Sequence, residues 1–158
     1  MAQRAIQNTA VVYFTKGGAA ARYAETVAET LRGVGHSVDL IDLRRRRKPD
    51  LAPYDNVVLG TGVRIGMVYR KAKRFLRRAD LDNKRLAIFL ASGIAIEEPG
   101  KSKAKFLQPI VEKYGLEPVM YDAFPGYTPG PKDTTPDTTN LARAAEWARE
   151  LAERLTSD

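Results

Sequence analysis

The chain has 158 residues and a formal net charge of +7, with one histidine, His36, and no cysteine. This length predicts a single domain, residues 1–158, with a substantial core, and the polar residues 1–8 are expected to fray. The missing cysteines exclude disulfides and thiolate catalysis, and one histidine argues against a protein-held transition metal. No apolar run matches a membrane span and no signal peptide opens the chain, so we expect a cytoplasmic protein.

The first predicted unit is a strand, a glycine turn and a helix. Residues 10–14 form an apolar run typical of a strand buried on both faces. Gly17 and Gly18 interrupt this run, and from Ala19 the apolar positions recur at helical spacing. A helix that begins directly after such a turn favours a bound anion, usually a phosphate, although an ordinary turn without a ligand is the alternative. The turn matches neither G-x-G-x-x-G nor a P-loop.

A strongly basic run follows the second predicted strand, Ser37–Asp42. His36 precedes this strand in a connection where we expect a solvated loop residue. The run consists of Arg44, Arg45, Arg46, Arg47 and Lys48. It indicates either a solvated loop or a peripheral contact with an anionic membrane or an acidic protein. Nucleic acid is disfavoured because no aromatic residue is interleaved for base stacking.

The rest of the chain repeats the alternation of strand and helix. Apolar runs predict strands at 56–61, 85–92 and 118–124, and helical periodicity predicts helices at 70–79, 103–114 and 140–155. Ser102 is the predicted cap of the second of these helices, and Pro109 is expected to kink it. Trp147 is interpreted as a packing residue.

This alternation predicts a parallel five-stranded sheet with helices on both faces. Ligands of such sheets bind beyond the carboxyl ends of the strands. Three glycine-bearing loops follow strand ends here, at residues 15–20, 61–66 and 92–100. These loops carry no catalytic triad, no cysteine–histidine pair and no carboxylate cluster, so we expect a cofactor to supply any chemistry.

The segment from Tyr54 to Arg70 resembles flavodoxin-domain proteins related to menaquinone-dependent protoporphyrinogen oxidase. It combines Tyr-Asp, an apolar run and the turn Val63-Arg64-Ile65-Gly66. The opening segment 13–18 and the closing helix around Trp147 are similar as well. The resemblance implies a flavodoxin-like doubly wound sheet of strand order 2-1-3-4-5 and the cofactor FMN, with a related flavin or a deazaflavin as alternatives.

The resemblance also implies where the cofactor binds. The phosphate would lie in the first loop, and the isoalloxazine ring between the second and third loops. Arg64 would stabilise the anionic reduced flavin. The implied cofactor-binding residues are Thr15, Lys16, Gly17, Gly18, Ala19, Ala20, Thr61, Gly62, Val63, Arg64, Ile65, Gly66, Ser92, Gly93 and Ile94.

Two departures from the family pattern leave three functions open. The phosphate loop has Phe14 and residues 19–21, all alanine, where flavodoxins usually carry hydroxyls, so only Thr15 remains. Residues 125–136 replace the longer insert of the quinone-linked oxidase. The chain is therefore interpreted as an FMN-dependent carrier of electrons or hydride equivalents, as a menaquinone-linked protoporphyrinogen oxidase, or as a basic interaction module with a decayed flavin site. The redox donor and acceptor, a quinone among the candidates, and the oligomeric state stay open.

Overall fold

The structure, a computed structural model, describes residues 6–16, 18–64, 66–126 and 138–156, and for Arg64 it describes the backbone alone. Six strands are present in these ranges: β1 (Asn8–Tyr13), β2 (Ser37–Asp42), β3 (Asn56–Arg64), β4 (Met67–Val68), β5 (Arg85–Ser92) and β6 (Met120–Pro125). The α-helices are α1 (Ala19–Gly33), α2 (Arg70–Arg78), α3 (Pro99–Ser102), α4 (Gln108–Lys113) and α5 (Leu141–Thr156). A 3₁₀ turn (Ile94–Ile96) follows β5, and a π turn (Lys103–Leu107) joins α3 to α4.

Five strands form a parallel sheet in the order β2-β1-β3-β5-β6, which confirms the predicted doubly wound fold. The additional strand, β4, pairs antiparallel with the end of β3, and Arg64 faces Met67 across this hairpin. The interpretation of the segment after Thr61 as a loop is therefore wrong for Gly62 to Arg64, which continue the strand. Gly66 has φ +71°, a left-handed conformation that permits the tight reversal into β4.

Each face of the sheet covers its own apolar core. Helices α1 and α5 pack on one face, and α2, the π turn and α4 pack on the other. On the first face, Phe89 lies within 6.4 Å, centroid to centroid, of three other aromatic rings: Tyr23, Phe124 and Trp147. Trp147 is buried, so its interpretation as a packing residue is confirmed. Gly60 is required beside this cluster, because a Cβ there would lie 2.0 Å from Phe89 Cζ.

The helical segment after β5 differs from its prediction at one end. It begins at Pro99, a residue favoured in the first helical position, so Ser102 is not its cap. Ser102 is instead buried, and its Oγ lies 2.5 Å from Ser92 Oγ. Pro109 has no N–H to continue the α-helical ladder. The π turn ends at Leu107, with the Gln108 N–H bonded to the Lys103 carbonyl, so the helical segment is irregular just before Pro109.

His36 is buried, so its prediction as a solvated loop residue is wrong. It lies between α1 and β2, next to the start of β1, and only 7% of its surface is exposed. Its Nδ1 is 3.1 Å from Thr9 Oγ1. The sequence pattern around two glycines indicated a loop, but the parallel pairing of β1 with β2 places this residue beside a polar partner inside the protein.

Candidate functional site

The three predicted ligand loops leave the sheet at one edge, which we call the carboxyl edge. Strands β1, β3 and β5 are neighbours and run parallel, so their carboxyl ends lie side by side. The Phe14 N–H donates a hydrogen bond of 3.0 Å to the Gly60 carbonyl, and the Phe14 ring packs edge-on against Tyr69 at 5.2 Å. The Gly126 N–H donates to the Ser92 carbonyl at 3.0 Å, which adds the end of β6 to the same edge.

The first loop presents the main chain of a helix start. Thr15 is buried, and its Oγ1 accepts a 3.1 Å hydrogen bond from the Gly18 N–H. Gly18 has φ +99°, a conformation that favours glycine, and a Cβ there would point into open space.

The helix that follows Gly18 begins without a side-chain cap. Among the described residues, the bond from the Arg22 N–H to the Gly18 carbonyl is the first of α1, and the N–H groups of residues 19–21 precede it. Lys16 is exposed beside them, and the first turn contains no acidic residue. Positive charge and the N–H groups of a helix start together suit an anion. Gly17 lies outside the described residues, so its role stays a prediction.

The second loop is the β3–β4 hairpin. Gly62 lies beneath the Tyr69 ring, since a Cβ there would be 3.3 Å from Tyr69 Cε2. Thr61 is buried, and its Oγ1 has no hydrogen-bond partner among the described residues. Val63 is half-buried and pairs with Val68. Tyr69 therefore joins the second loop to the first through its contacts with both Gly62 and Phe14.

The tip of this hairpin holds the residues with the most specific predicted roles. Gly66 is exposed, and open space surrounds the position of an added Cβ. The backbone of Arg64 pairs with Met67, but the Arg64 side chain and the whole of Ile65 lie outside the described part of the chain. Their contact with a flavin ring stays a prediction.

The third loop is anchored by Ser92, whose side chain turns into the protein. Its Oγ lies 2.5 Å from Ser102 Oγ and accepts a 3.2 Å hydrogen bond from the Ala95 N–H. Ser92 thus fixes the path of the 3₁₀ turn through its side chain. Gly93 is exposed and Ile94 half-buried, which leaves the backbone of this loop accessible at the carboxyl edge.

Two exposed apolar residues on these loops were missed by the sequence reasoning. Met67 is 60% exposed in the hairpin, and Ile96 is 44% exposed after β5. The available signal was their position: Met67 directly follows the turn residue Gly66, and Ile96 directly precedes two glutamates. Exposed apolar side chains beside a site contribute to contacts with an apolar ligand.

Among the described residues, the titratable side chains at this edge do not form a buried acid–base pair. Burial, together with the charges of Asp42 and Glu25, raises the pKa of the Tyr13 phenol at the end of β1, which keeps it neutral. Glu98 pairs at 3.5 Å with Lys101, and both are exposed, as expected of a solvated loop. No group of three metal-ligating side chains occurs within residues 6–16, 18–64, 66–126 and 138–156. In the same ranges, no helix has the length and apolar character needed to cross a membrane.

Residues 10–137 match the sequence pattern of the flavodoxin domain family. The chain belongs to this family. Solved structures with the same fold include a NAD(P)H:quinone oxidoreductase from Methanothermobacter marburgensis, with a TM-score of 0.67 and 12% identity over 98% of both chains. Flavodoxin 1 of Bacillus cereus has a TM-score of 0.65 at 16% identity, covering 95% of this chain and 100% of its own.

Flavodoxin 2 of Bacillus cereus has a TM-score of 0.63 at 20% identity, covering 93% of this chain and 99% of its own. No curated protein matches the chain. The resemblance to the flavodoxin-like family is therefore confirmed, and membership supports a flavin-binding redox protein. The closer relation to menaquinone-dependent protoporphyrinogen oxidase stays a prediction.

Proposed function

We propose that this flavodoxin-family domain binds FMN at its carboxyl edge and serves as a carrier of electrons or hydride equivalents. The observation that carries the proposal is the uncapped start of α1 after Gly18, beside two accessible glycine-bearing loops. The phosphate group would be held by residues 15–20 and the ring by residues 61–66 and 92–94. When bound, FMN supplies the redox chemistry, and the protein binds and orients it.

The alanine-rich phosphate loop is compatible with this function because main-chain N–H groups do not depend on side-chain identity. Each hydroxyl that the loop lacks removes a charge-assisted hydrogen bond worth roughly 1.5–3 kcal/mol. The loss of one or two such bonds weakens binding by about tenfold to roughly 2 × 10⁴-fold. The exposed Lys16 and the N–H groups at the start of α1 offset part of that loss. We therefore expect weaker binding than in hydroxyl-rich loops.

The apolar contacts of the ring would also differ from those of a flavodoxin with aromatic residues on both sides. Tyr69 is engaged by Phe14 and Gly62. Met67 and Ile96 are exposed on the second and third loops, so they are available for contact with an apolar ring. Met and Ile side chains at these positions would cover the ring without aromatic stacking, and the unbranched Met would adapt to its shape more freely than the β-branched Ile.

The first experiment is an absorbance spectrum of the purified protein, followed by titration of the stripped protein with FMN. We expect saturation at one FMN per chain. The Gly18→Ala variant should bind about tenfold more weakly, because its free loop would relax from the left-handed conformation, and restoring that conformation on binding costs a residue with a Cβ about 1–2 kcal/mol. Gly33→Ala is the matched control, since Gly33 lies at the other end of α1 with open space around it and no positive φ.

A protein that neither carries nor takes up FMN contradicts the proposal. A deazaflavin would then be titrated in the same way, and saturation with it would retain the site while changing the cofactor. Failure of both titrations would favour the decayed site.

A second candidate function, oxidation of protoporphyrinogen with menaquinone, rests on the Val63-Arg64-Ile65-Gly66 turn within the β3–β4 hairpin. The assay is consumption of protoporphyrinogen by the FMN-loaded protein in the presence and absence of a quinone. Turnover that requires the quinone would establish this activity. If protoporphyrinogen is not consumed, this second function is excluded, and the proposal of an FMN-dependent electron carrier is unaffected.

A further inference from the structure

A basic groove adjoins the carboxyl edge at Lys71, whose Nζ lies 5.5 Å from the centroid of the Phe14 ring. It has a volume of about 830 Å³ and runs between the connection that follows β2 and helix α2. Residues 47–52 form one wall, α2 forms the other, and residues 80–84 contribute to one end. We call this cavity the α2 groove. Its volume is within the range of specific ligand sites, roughly 300–1,000 Å³.

Five exposed cations line the α2 groove: Arg47, Lys48, Lys71, Arg74 and Arg78. The ion pairs found among the described residues lie elsewhere, at Lys101–Glu98, Arg143–Asp122 and Arg154–Glu150. Within the described part of the chain, none of the five is therefore neutralised by a carboxylate in direct contact. Such a concentration of unpaired positive charge in a concave site attracts an anionic partner.

The cations on α2 form a regular stripe. Lys71, Arg74 and Arg78 are related by steps of three and four residues, so they share one side of the helix at separations of about 5–6 Å. The stripe spans roughly 10 Å along the helix axis. Carboxylates spaced three and four residues apart on a second helix have the same separations.

The floor of the groove is apolar. Leu43, Leu51 and Phe75 line it, and each is less than 10% exposed. A ligand that fits both features carries negative charges at its edges and an apolar group at its centre. This combination is typical of an amphipathic acidic helix, in which an apolar side chain lies between carboxylates.

We infer that the α2 groove binds an acidic amphipathic helix of a partner protein, with carboxylates paired to the Lys71–Arg74–Arg78 stripe and an apolar side chain over Phe75. This inference does not depend on flavin binding. The sequence predicted a contact with an anionic partner through residues 44–48. The groove includes only Arg47 and Lys48 of this run, so the inference assigns the contact to these two residues and to α2.

The other anionic partners fit the groove less well. Asp50, Asp80 and Asp82 also line it, so a partner must place its negative charges at the cations and away from these carboxylates. Discrete carboxylates on a helix allow such spacing, whereas the uniform charge of a nucleic-acid backbone does not. The lining contains a single aromatic residue, Phe75, so successive bases have no series of rings on which to stack. A flat lipid surface does not enter a concave groove.

The test is fluorescence anisotropy of the full chain with a labelled fourteen-residue peptide that has glutamates three and four residues apart and leucines between them. A scrambled peptide of the same composition is the ligand control. We expect Arg74→Gln/Arg78→Gln to weaken peptide binding about tenfold at low salt and to leave FMN affinity unchanged. Arg44→Gln/Arg45→Gln removes the same charge from exposed residues outside the groove and should change peptide binding less than twofold.

A reversed-charge pair separates direct contact from general attraction. The Arg74→Glu/Arg78→Glu variant should no longer bind the glutamate peptide, and it should bind a peptide in which lysines replace the glutamates. The inference would be overturned if Arg74→Gln/Arg78→Gln and Arg44→Gln/Arg45→Gln weakened peptide binding equally. It would also be overturned if the scrambled peptide bound as tightly as the glutamate peptide. Single-stranded oligouridine and phosphatidylcholine vesicles containing phosphatidylserine are the remaining probes. If either binds through Arg74 and Arg78 while the glutamate peptide does not, the acidic helix is the wrong partner.

Discussion

The two ends of the central sheet use polar groups in opposite ways. At the amino end, where β1 and β3 begin, the polar groups belong to the buried side chains of Thr9, His36 and Asn56, which contact one another. At the carboxyl edge, glycines and alanines leave main-chain groups accessible, and Gly18, Gly66 and Gly93 are surrounded by open space. Buried polar side chains that satisfy one another stabilise the fold, whereas accessible main-chain groups remain for a ligand.

The buried side chains at the amino end form a hydrogen-bonded chain. Asn56 Nδ2 donates to Gln7 Oε1 and to Thr9 Oγ1, each at 3.0 Å. Thr9 Oγ1 also lies 3.1 Å from His36 Nδ1, and the tautomer of the ring sets which of the two atoms donates. His36 Nε2 and Asn56 Oδ1 are buried and have no hydrogen-bond partner among the described residues.

Buried side chains also hold the backbone of the carboxyl edge, and that of Tyr23 connects the most distant elements. The Tyr23 hydroxyl, on α1, donates to the Pro125 carbonyl at the end of β6 and accepts a 3.0 Å hydrogen bond from the Asn140 N–H before α5. One side chain thus connects three elements at this end of the sheet. Like Thr15 and Ser92, it is a side chain that holds the main chain of the carboxyl edge in place, and its removal has the largest expected effect.

We expect Tyr23→Phe to lower the free energy of unfolding by about 2 kcal/mol, because it leaves the Pro125 carbonyl and the Asn140 N–H without this partner. Urea unfolding measures this change. Tyr114→Phe is the matched control, since Tyr114 is half-buried and the structure shows no hydrogen bond of its hydroxyl among the described residues. Equal stability of the Tyr23→Phe variant and the native protein would show that the hydroxyl does not hold the carboxyl edge together.

A smaller effect is expected at the hairpin, and it applies to the FMN-loaded protein. Replacing Arg64 with alanine removes a cation that would stabilise the reduced, anionic flavin, so the midpoint potential should become more negative by on the order of 10–30 mV. Spectroelectrochemical titration measures this shift. Arg70→Ala is the control, because Arg70 is an exposed cation at the start of α2. If both variants have the native potential, Arg64 does not act on the flavin.

How much of this molecule could be predicted from its sequence depends on whether the signal was local. The apolar run of β1 and the periodicity of α1 are local patterns, and both elements form where predicted. The burial of His36 is not local, because it depends on Thr9, which is 27 positions away in the sequence. The same limit applies to the inward turn of Ser92, whose partner Ser102 was predicted as a helix cap.

The candidate site shows the same division. The glycine turn before α1 and the three loops were predicted from residue types, and the parallel order of the strands brings them together. The β3–β4 hairpin was missed because β4 has only two residues, too few for a periodic signal. The α2 groove could not be predicted from local patterns, because its two walls, residues 47–52 and helix α2, are separated in the sequence.

The smallest expected effect tests the amino end through pH. Burial lowers the pKa of His36 below its ordinary value of 6.5, so the unfolded chain takes up a proton at a higher pH than the folded protein does. The stability associated with the neutral ring is therefore fully present above about pH 6.5 and is lost as the pH falls through the lower, folded-state pKa. Urea unfolding at about pH 7 and pH 5.5 should show a lower free energy of unfolding at the acidic value.

His36→Gln is the control for this dependence. His36 is the only histidine, and most carboxylates keep their charge at about pH 5.5, so the variant should lose most of the difference between the two conditions. If the His36→Gln variant keeps the full difference in free energy of unfolding between the two pH values, other groups cause that difference. The titration of His36 would then make no contribution to stability. If the difference disappears with His36, the neutral, buried imidazole contributes to the stability of the amino end, whereas the glycines of the carboxyl edge leave main-chain groups accessible to a ligand.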